Sequence, residues 1–168
     1  MHNEHCGRKI YWDSCIFISL LQKEKDRFVL LSEIWDEIDS KETVIYTSAI
    51  TYLEIVKDSD GESPLAGAEL QQVLSMLDKV KIVNLDRMLS RQAKSIEALH
   101  GVKSFDAAHL AAASMAKVQE FHTYDGSGNR KRAEDLLKLK TFGDPPFKIC
   151  LPSSCNPLID TINNAGSK

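Results

Sequence analysis

The residues of this sequence best suited to chemistry are four acids placed just after short β-branched or aromatic runs. Asp13 follows Ile10, Tyr11 and Trp12, and Glu54 follows the run at 43–47. Asp106 opens an alanine-rich stretch, and Asp125 closes Phe121, His122, Thr123 and Tyr124. If those runs are strands of one parallel sheet, all four acids fall at strand C-terminal ends or in the helices that follow, where open α/β sheets bind ligands. Gathered there, they would repel one another, because like charges about 4 Å apart cost several kcal/mol in a partly buried site. A divalent cation removes that conflict, and oxygen-only donors select Mg²⁺ or Mn²⁺ over zinc.

Each acid has a plainer explanation when taken alone. Asp13 reads as an N-cap, and Thr51-x-x-Glu54 matches a capping box. Asp106 suits the positive end of a helix, and Asp125-Gly126 is a turn signal. Their shared placement is what argues for a site, so the elements that would position them carry the argument.

Those elements follow from periodicity. Residues 10–12 form a strand ending at Asp13, and residues 14–21 an apolar helix. Residues 28–38 form an amphipathic helix with Phe28, Leu31, Ile34, Trp35 and Ile38 at three- and four-residue steps. A β-branched strand at 43–47 leads to Ser48, read as the cap of the helix that holds Ile50, Leu53, Glu54 and Val56. After a polar loop at 58–63, Pro64 starts a helix with Leu70, Val73, Leu74 and Leu77 on one face. A strand at 81–85 precedes Asp86, which caps a helix with Leu89, Ala93, Ile96 and Leu99 inward and Arg87, Arg91 and Lys94 outward. His100-Gly101 ends it.

Ser104 then reads as the N-cap of a helix with Asp106 in its first turn and strong helix formers over 107–116, placing Ala107, Leu110, Ala111 and Met115 toward the core. A strand starts at Gln119 or Glu120 and ends at Asp125. Residues 130–140 (RKRAEDLLKLK) read as a short basic helix, and 148–151 as a last strand. The pattern is one α/β domain over residues 1–151 with a tail at 152–168.

Composition sets limits on function. At 168 residues the chain is long enough to bury a core without disulfides or a structural metal. Its net charge of −3 gives no overall field for a polyanion, so any nucleic-acid contact needs a local basic patch. Cys6, Cys15, Cys150 and Cys155 form no zinc-like CxxC pair, and Cys15 reads as a buried free thiol. No apolar run approaches the ~20 residues of a membrane span, and the first residues lack a signal-peptide core, so a cytoplasmic, reducing setting is expected. The acidic loop at 58–63 lacks the spacing of an EF-hand. Gly126 and Gly128 are followed by no Walker-type lysine.

The stretches KIYWDSCIFI, TSAITYLEIV, KSFDAAHLAAA and FHTYD resemble, in order and spacing, the four acidic motifs of the PIN-domain ribonucleases. DAAHLAAA followed by TYD is the most specific part, and the resemblance spans roughly residues 8–151. It implies a PIN-like three-layer α/β/α fold with a central parallel sheet of four to five strands. It also implies that Asp13, Glu54, Asp106 and Asp125 bind Mg²⁺ or Mn²⁺, with Thr123 ordering the site and Ser14 as the small hydroxyl residue after the first acid.

The activity implied is a metal-dependent endoribonuclease that leaves 5′-phosphate and 3′-hydroxyl ends on RNA, with single-stranded loops as targets. The most similar members are toxins of prokaryotic toxin–antitoxin pairs, which implies an antitoxin partner and a homodimer. The basic residues at 130–140, with Arg87 and Arg91, are candidates for RNA phosphates. Other readings stand beside this one. The resemblance also allows a PIN nuclease in RNA processing without a toxin role; His100, His109 and His122 could supply metal-free acid–base catalysis; or the acids could serve folding or docking in a binding module without turnover.

Overall fold

The computed structural model of the chain describes residues 7–40, 42–55, 68–128 and 135–155. Strand β1 (Arg8–Trp12) passes through Asp13 into α1 (Ser14–Leu21), and α2 (Lys25–Asp39) returns the chain to β2 (Thr43–Ser48). Helices α3 (Thr51–Ile55) and α4 (Ala68–Leu77) lead to β3 (Lys81–Val83). The pair α5 (Arg87–His100) and α6 (Ser104–Ala116) then connects to β4 (Glu120–His122). A single 3₁₀ turn (Leu136–Lys138) precedes the hairpin of β5 (Thr141–Phe142) and β6 (Phe147–Cys150).

The strands form one sheet in the order β3-β2-β1-β4-β6-β5, parallel except for β5. From β1 the chain builds outward through β2 to β3, and α5 and α6 then carry it to β4 on the other side of β1. The gap between the C-terminal ends of β1 and β4 is therefore the topological switch point, where open α/β sheets place their ligands. Trp12 pairs with His122 across it, so Asp13 and Thr123 emerge side by side.

The two-residue alternation of the strands divides the core. Tyr11 and Phe121 stack with centroids 4.9 Å apart within the cluster that also holds Leu110 and Leu89. Ile10 and Trp12 belong to the other cluster, with Phe17, Leu31 and Ile34. Each such fully buried large side chain contributes about 1.5–3 kcal/mol. Residues 107–113 of α6 are all buried, since this helix packs on β2 and β3 with one side and on α5 with another. Alanines make that close double contact sterically possible.

The architecture is the three-layer α/β arrangement expected, with a sixth strand. The added β5 is two residues long, too short to leave a periodic signal, and it closes a hairpin onto β6. Residues 135–140 do not continue a basic helix. Leu136 is buried, and its amide donates to Asp125 Oδ2 at 2.9 Å, so a tertiary partner replaces the helical one and only one 3₁₀ turn forms.

Ser104 is not a cap either. Its hydroxyl donates to Glu97 of α5, and Lys103 occupies the cap position without a side-chain bond. Leu99 and Met115 are 77% and 41% exposed rather than inward. At 100° per residue both lie about 80° from the stripe centred near Leu89 and Ala107, respectively.

The proposed start at Pro64 and residues 56, 58–63, 130–134 and 156–168 lie outside the described residues. Of the expected tail, residues 152–155 are described, and Ser153 to Cys155 are tied to the domain. Arg8 donates to the Ser153 carbonyl, and the Ser154 hydroxyl and Cys155 amide donate to Glu37 at 2.8 and 2.7 Å. Among the described residues no helix is long and apolar enough to cross a membrane.

Candidate metal centre

Asp13 does act as the N-cap of α1. Its Oδ1 accepts the Ser14 amide at 2.7 Å, and the cap holds the carboxylate over the end of β1. Its Oδ2 accepts the Thr123 hydroxyl at 2.8 Å. The same Thr123 oxygen accepts the Asp125 amide at 2.9 Å, so one buried side chain fixes two of the acids relative to each other. Asp125 Oδ2 is further held by the Leu136 amide.

Glu54 reaches the same place from α3. Its Oε2 lies 2.7 Å from His109 Nε2, and the same nitrogen is 3.6 Å from Asp13 Oδ1. Asp13, Glu54 and His109 thus offer three ligand atoms within 4.8 Å of one another. Burial works to raise the Glu54 pKa, but bonding and charge from His109 and a bond from Ser14 outweigh it, leaving the carboxylate below its ordinary range. Burial likewise opposes charge on His109, yet the Glu54 bond and the Asp13, Glu54 and Asp106 charges hold its imidazole above the usual value.

Asp106, in the first turn of α6, is the unsatisfied member. Its Oδ2 is buried without a hydrogen-bond partner among the described residues. Loss of solvent, and then the charges of Asp13 and Asp125, push its pKa up to about 7. Among the described residues no Lys or Arg forms an ion pair with any of the four acids. A hard, oxygen-preferring dication fits such a donor set: it would satisfy the orphaned oxygen and offset the repulsion that the fold creates.

Among the described residues, three side chains beyond the expected set adjoin the cluster. His109, three positions after Asp106 on the same helix, carried a spacing signal, and its ring is fully buried against Tyr11, whose hydroxyl lies 2.7 Å from Nδ1. Tyr11 itself reads as a plain strand residue. Cys15 places Sγ 3.4 Å from Asp13 Oδ2 and accepts the Tyr124 amide at 3.3 Å. Desolvation and the neighbouring Asp13 charge keep its thiol well above the usual range, hence protonated.

The other two described histidines do not join this cluster. His100 ends α5 and stacks edge-on against Phe142. His122 alternates onto the opposite sheet face from Tyr11 and Phe121, where it neighbours Glu120 and Cys150. That second group of potential donors is organised around Arg8, whose Nη2 is 3.1 Å from Glu120 Oε2 and 3.3 Å from His122 Nε2. A guanidinium already supplies the positive charge there, so the group is a partly buried ion-pair network. Arg87 and Arg91 line an open pocket of about 510 Å³ with Asp86 and Met88, just beyond β3.

The family model described as PIN domain matches residues 10–133. Among solved structures, the chain is similar to a toxin–antitoxin complex from Klebsiella pneumoniae, at 16% identity over 86% of this chain and 98% of that one, with a TM-score of 0.56. It is also similar to VapC20 of Mycobacterium tuberculosis, described as a sarcin–ricin loop cleaving toxin, at 17% identity over 70% and 90% of the two chains, with a TM-score of 0.53. At these identities the likeness is one of fold. No curated protein matches the chain.

Proposed function

This chain belongs to the PIN-domain family, and we propose that it is a Mg²⁺- or Mn²⁺-dependent endoribonuclease that acts in the cytoplasm as the toxin of a toxin–antitoxin pair. The observation that carries the reading is the orphaned, buried Asp106 Oδ2 beside the Asp13 and Asp125 charges at the β1/β4 switch point. Glu33 Oε2 and His122 Nδ1 are buried without partners among the described residues too, but Asp106 Oδ2 differs in belonging to a carboxyl group crowded by two further acid charges.

Asp13, Glu54, Asp106 and Asp125 would hold the cation or cations, which when bound would activate water and neutralise charge on the scissile phosphate. Thr123 supports the arrangement by donating to Asp13 and accepting from the Asp125 amide. Ser14 donates its amide to Asp13 and helps keep Glu54 ionised. Arg87 and Arg91 supply cationic side chains for RNA phosphates beyond β3.

The toxin role draws on the shared fold of a toxin–antitoxin complex and of a toxin that cleaves the sarcin–ricin loop. It brings with it an antitoxin partner, a homodimer and a single-stranded RNA loop as substrate, whose unstacked bases are open to a protein. The test is cleavage of structured RNAs by purified protein with Mn²⁺ or Mg²⁺. Wild type should yield 5′-phosphate and 3′-hydroxyl ends, stop in EDTA, and lose at least about 100-fold in rate on Asp106→Asn. Cleavage that survives EDTA, or protein that binds RNA without cutting it, would sink the reading. Expression should also arrest growth until a small cognate protein is co-expressed.

A further inference from the structure

His109 differs from the other buried histidine of the described chain. His122 Nε2 meets one carboxylate, Glu120, which Arg8 also pairs, whereas His109 Nε2 faces two, 2.7 Å from Glu54 Oε2 and 3.6 Å from Asp13 Oδ1, neither paired with a Lys or Arg among the described residues. The other nitrogen is fixed by Tyr11 at 2.7 Å. Metal-binding imidazoles are oriented by a hydrogen bond from the non-ligating ring nitrogen to an oxygen, and the Tyr11 oxygen stands where that bond is needed.

The anchor also tolerates the change of tautomer that ligation demands. With a proton on Nε2, the ring donates to Glu54 and accepts the Tyr11 hydroxyl. With the proton on Nδ1, the ring donates to the Tyr11 oxygen, and the tyrosine hydrogen rotates away from the ring, toward the side of the neighbouring Thr47 and Ser48 hydroxyls. Nε2 then presents its lone pair to the place between the carboxylates.

We propose that His109, through Nε2, is a ligand of the cation alongside Asp13 and Glu54, and that this nitrogen tilts the centre toward Mn²⁺ and away from Mg²⁺. The inference rests on the metal-dependent reading above. Its chemical basis is that Mg²⁺ demands hard oxygen ligands and retained waters, while affinity for an imidazole nitrogen rises along the first transition row.

Pulsed EPR of the Mn²⁺-loaded full chain tests it directly. Wild type should show ¹⁴N coupling from a bound imidazole, replaced by ¹⁵N coupling when histidine is isotopically labelled. His109→Gln should lose the coupling, and its preference for Mn²⁺ over Mg²⁺ in competition should fall about tenfold or more. If that variant does not fold, a chain with His2, His5, His100 and His122 replaced by Gln must still show the coupling. Mn²⁺ bound without nitrogen coupling overturns the His109 assignment and leaves the metal-dependent reading intact. Failure of wild type to bind Mn²⁺ at all overturns both.

Discussion

Asp106 makes the candidate site sensitive to pH in a direction that can be stated. Its folded-state pKa of about 7 lies above the ordinary 3.8, so the folded chain holds this proton more tightly than the unfolded one. The stability it contributes is complete below the ordinary value and disappears as pH rises through about 7. After discounting for partial solvent access, the cation-free protein should lose about 1–2 kcal/mol from this group between pH 5 and pH 8. Urea denaturation in EDTA should therefore find the stability of Asp106→Asn relative to wild type rising steadily from pH 5 to pH 8. Saturating Mn²⁺ should reverse that trend, because a ligand bound to the folded state stabilises it. Thr123 gives a second test, since its hydroxyl serves Asp13 and Asp125 together. Thr123→Val should cost about 1–3 kcal/mol in denaturation and reduce cleavage at least about tenfold with little change in KM.

Among the elements, the turn after β4 controls where Asp125 points. Gly126 has φ +89, and a Cβ built on it would sit 2.8 Å from Asp135 Cβ, so the chain needs glycine both for its backbone and for the approach of Asp135. Gly126→Ala should destabilise by about 1–3 kcal/mol and impair Mn²⁺ binding measured by calorimetry. Unchanged cation affinity would show that Asp125 is positioned independently of this turn. The sequence announced this turn through Asp125-Gly126, just as it announced α5 through Asp86 and Gly101, because caps and glycines act within a few residues. Asp86 accepts the Leu89 amide at 2.8 Å, and Gly101 is left-handed at φ 66. What stayed hidden depends on distant partners. Ser104 had the right type for a cap but found Glu97, and Leu136 had a helical setting but found Asp125. The pairing of Tyr11 with His109 spans 98 residues, beyond the reach of any local rule.

Across the whole molecule, the fold keeps one charged centre at the strand C-termini and builds another network from residues near the strand starts. Arg8 and Thr43 open β1 and β2, and Glu37 of α2 accepts from the Thr43 hydroxyl at 2.6 Å as well as from Ser154 and Cys155. We propose on this basis that the folded unit extends through Cys155 rather than ending at 151, and truncation tests it. Burial works to raise the Glu37 pKa, but the bonds from Thr43, Cys155 and Ser154 outweigh it and hold the carboxylate below the ordinary 4.5. A depressed folded-state pKa contributes stability that is present above the unfolded value and lost as pH falls through the folded one. A chain ending at residue 151 loses two of those donors, together with the Ser153 carbonyl that accepts from Arg8. It should be about 2–3 kcal/mol less stable than a chain ending at 155 at pH 7, since bonds to charged groups are worth more than neutral ones. The deficit should narrow as pH drops below 4.5, where the unfolded carboxylate takes up its proton. Because the network lies toward the opposite edge of the sheet from Asp13, Mn²⁺ affinity of the shorter chain, measured where it is folded, should match that of the longer one. Equal stability of the two chains at pH 7 would return the boundary to residue 151.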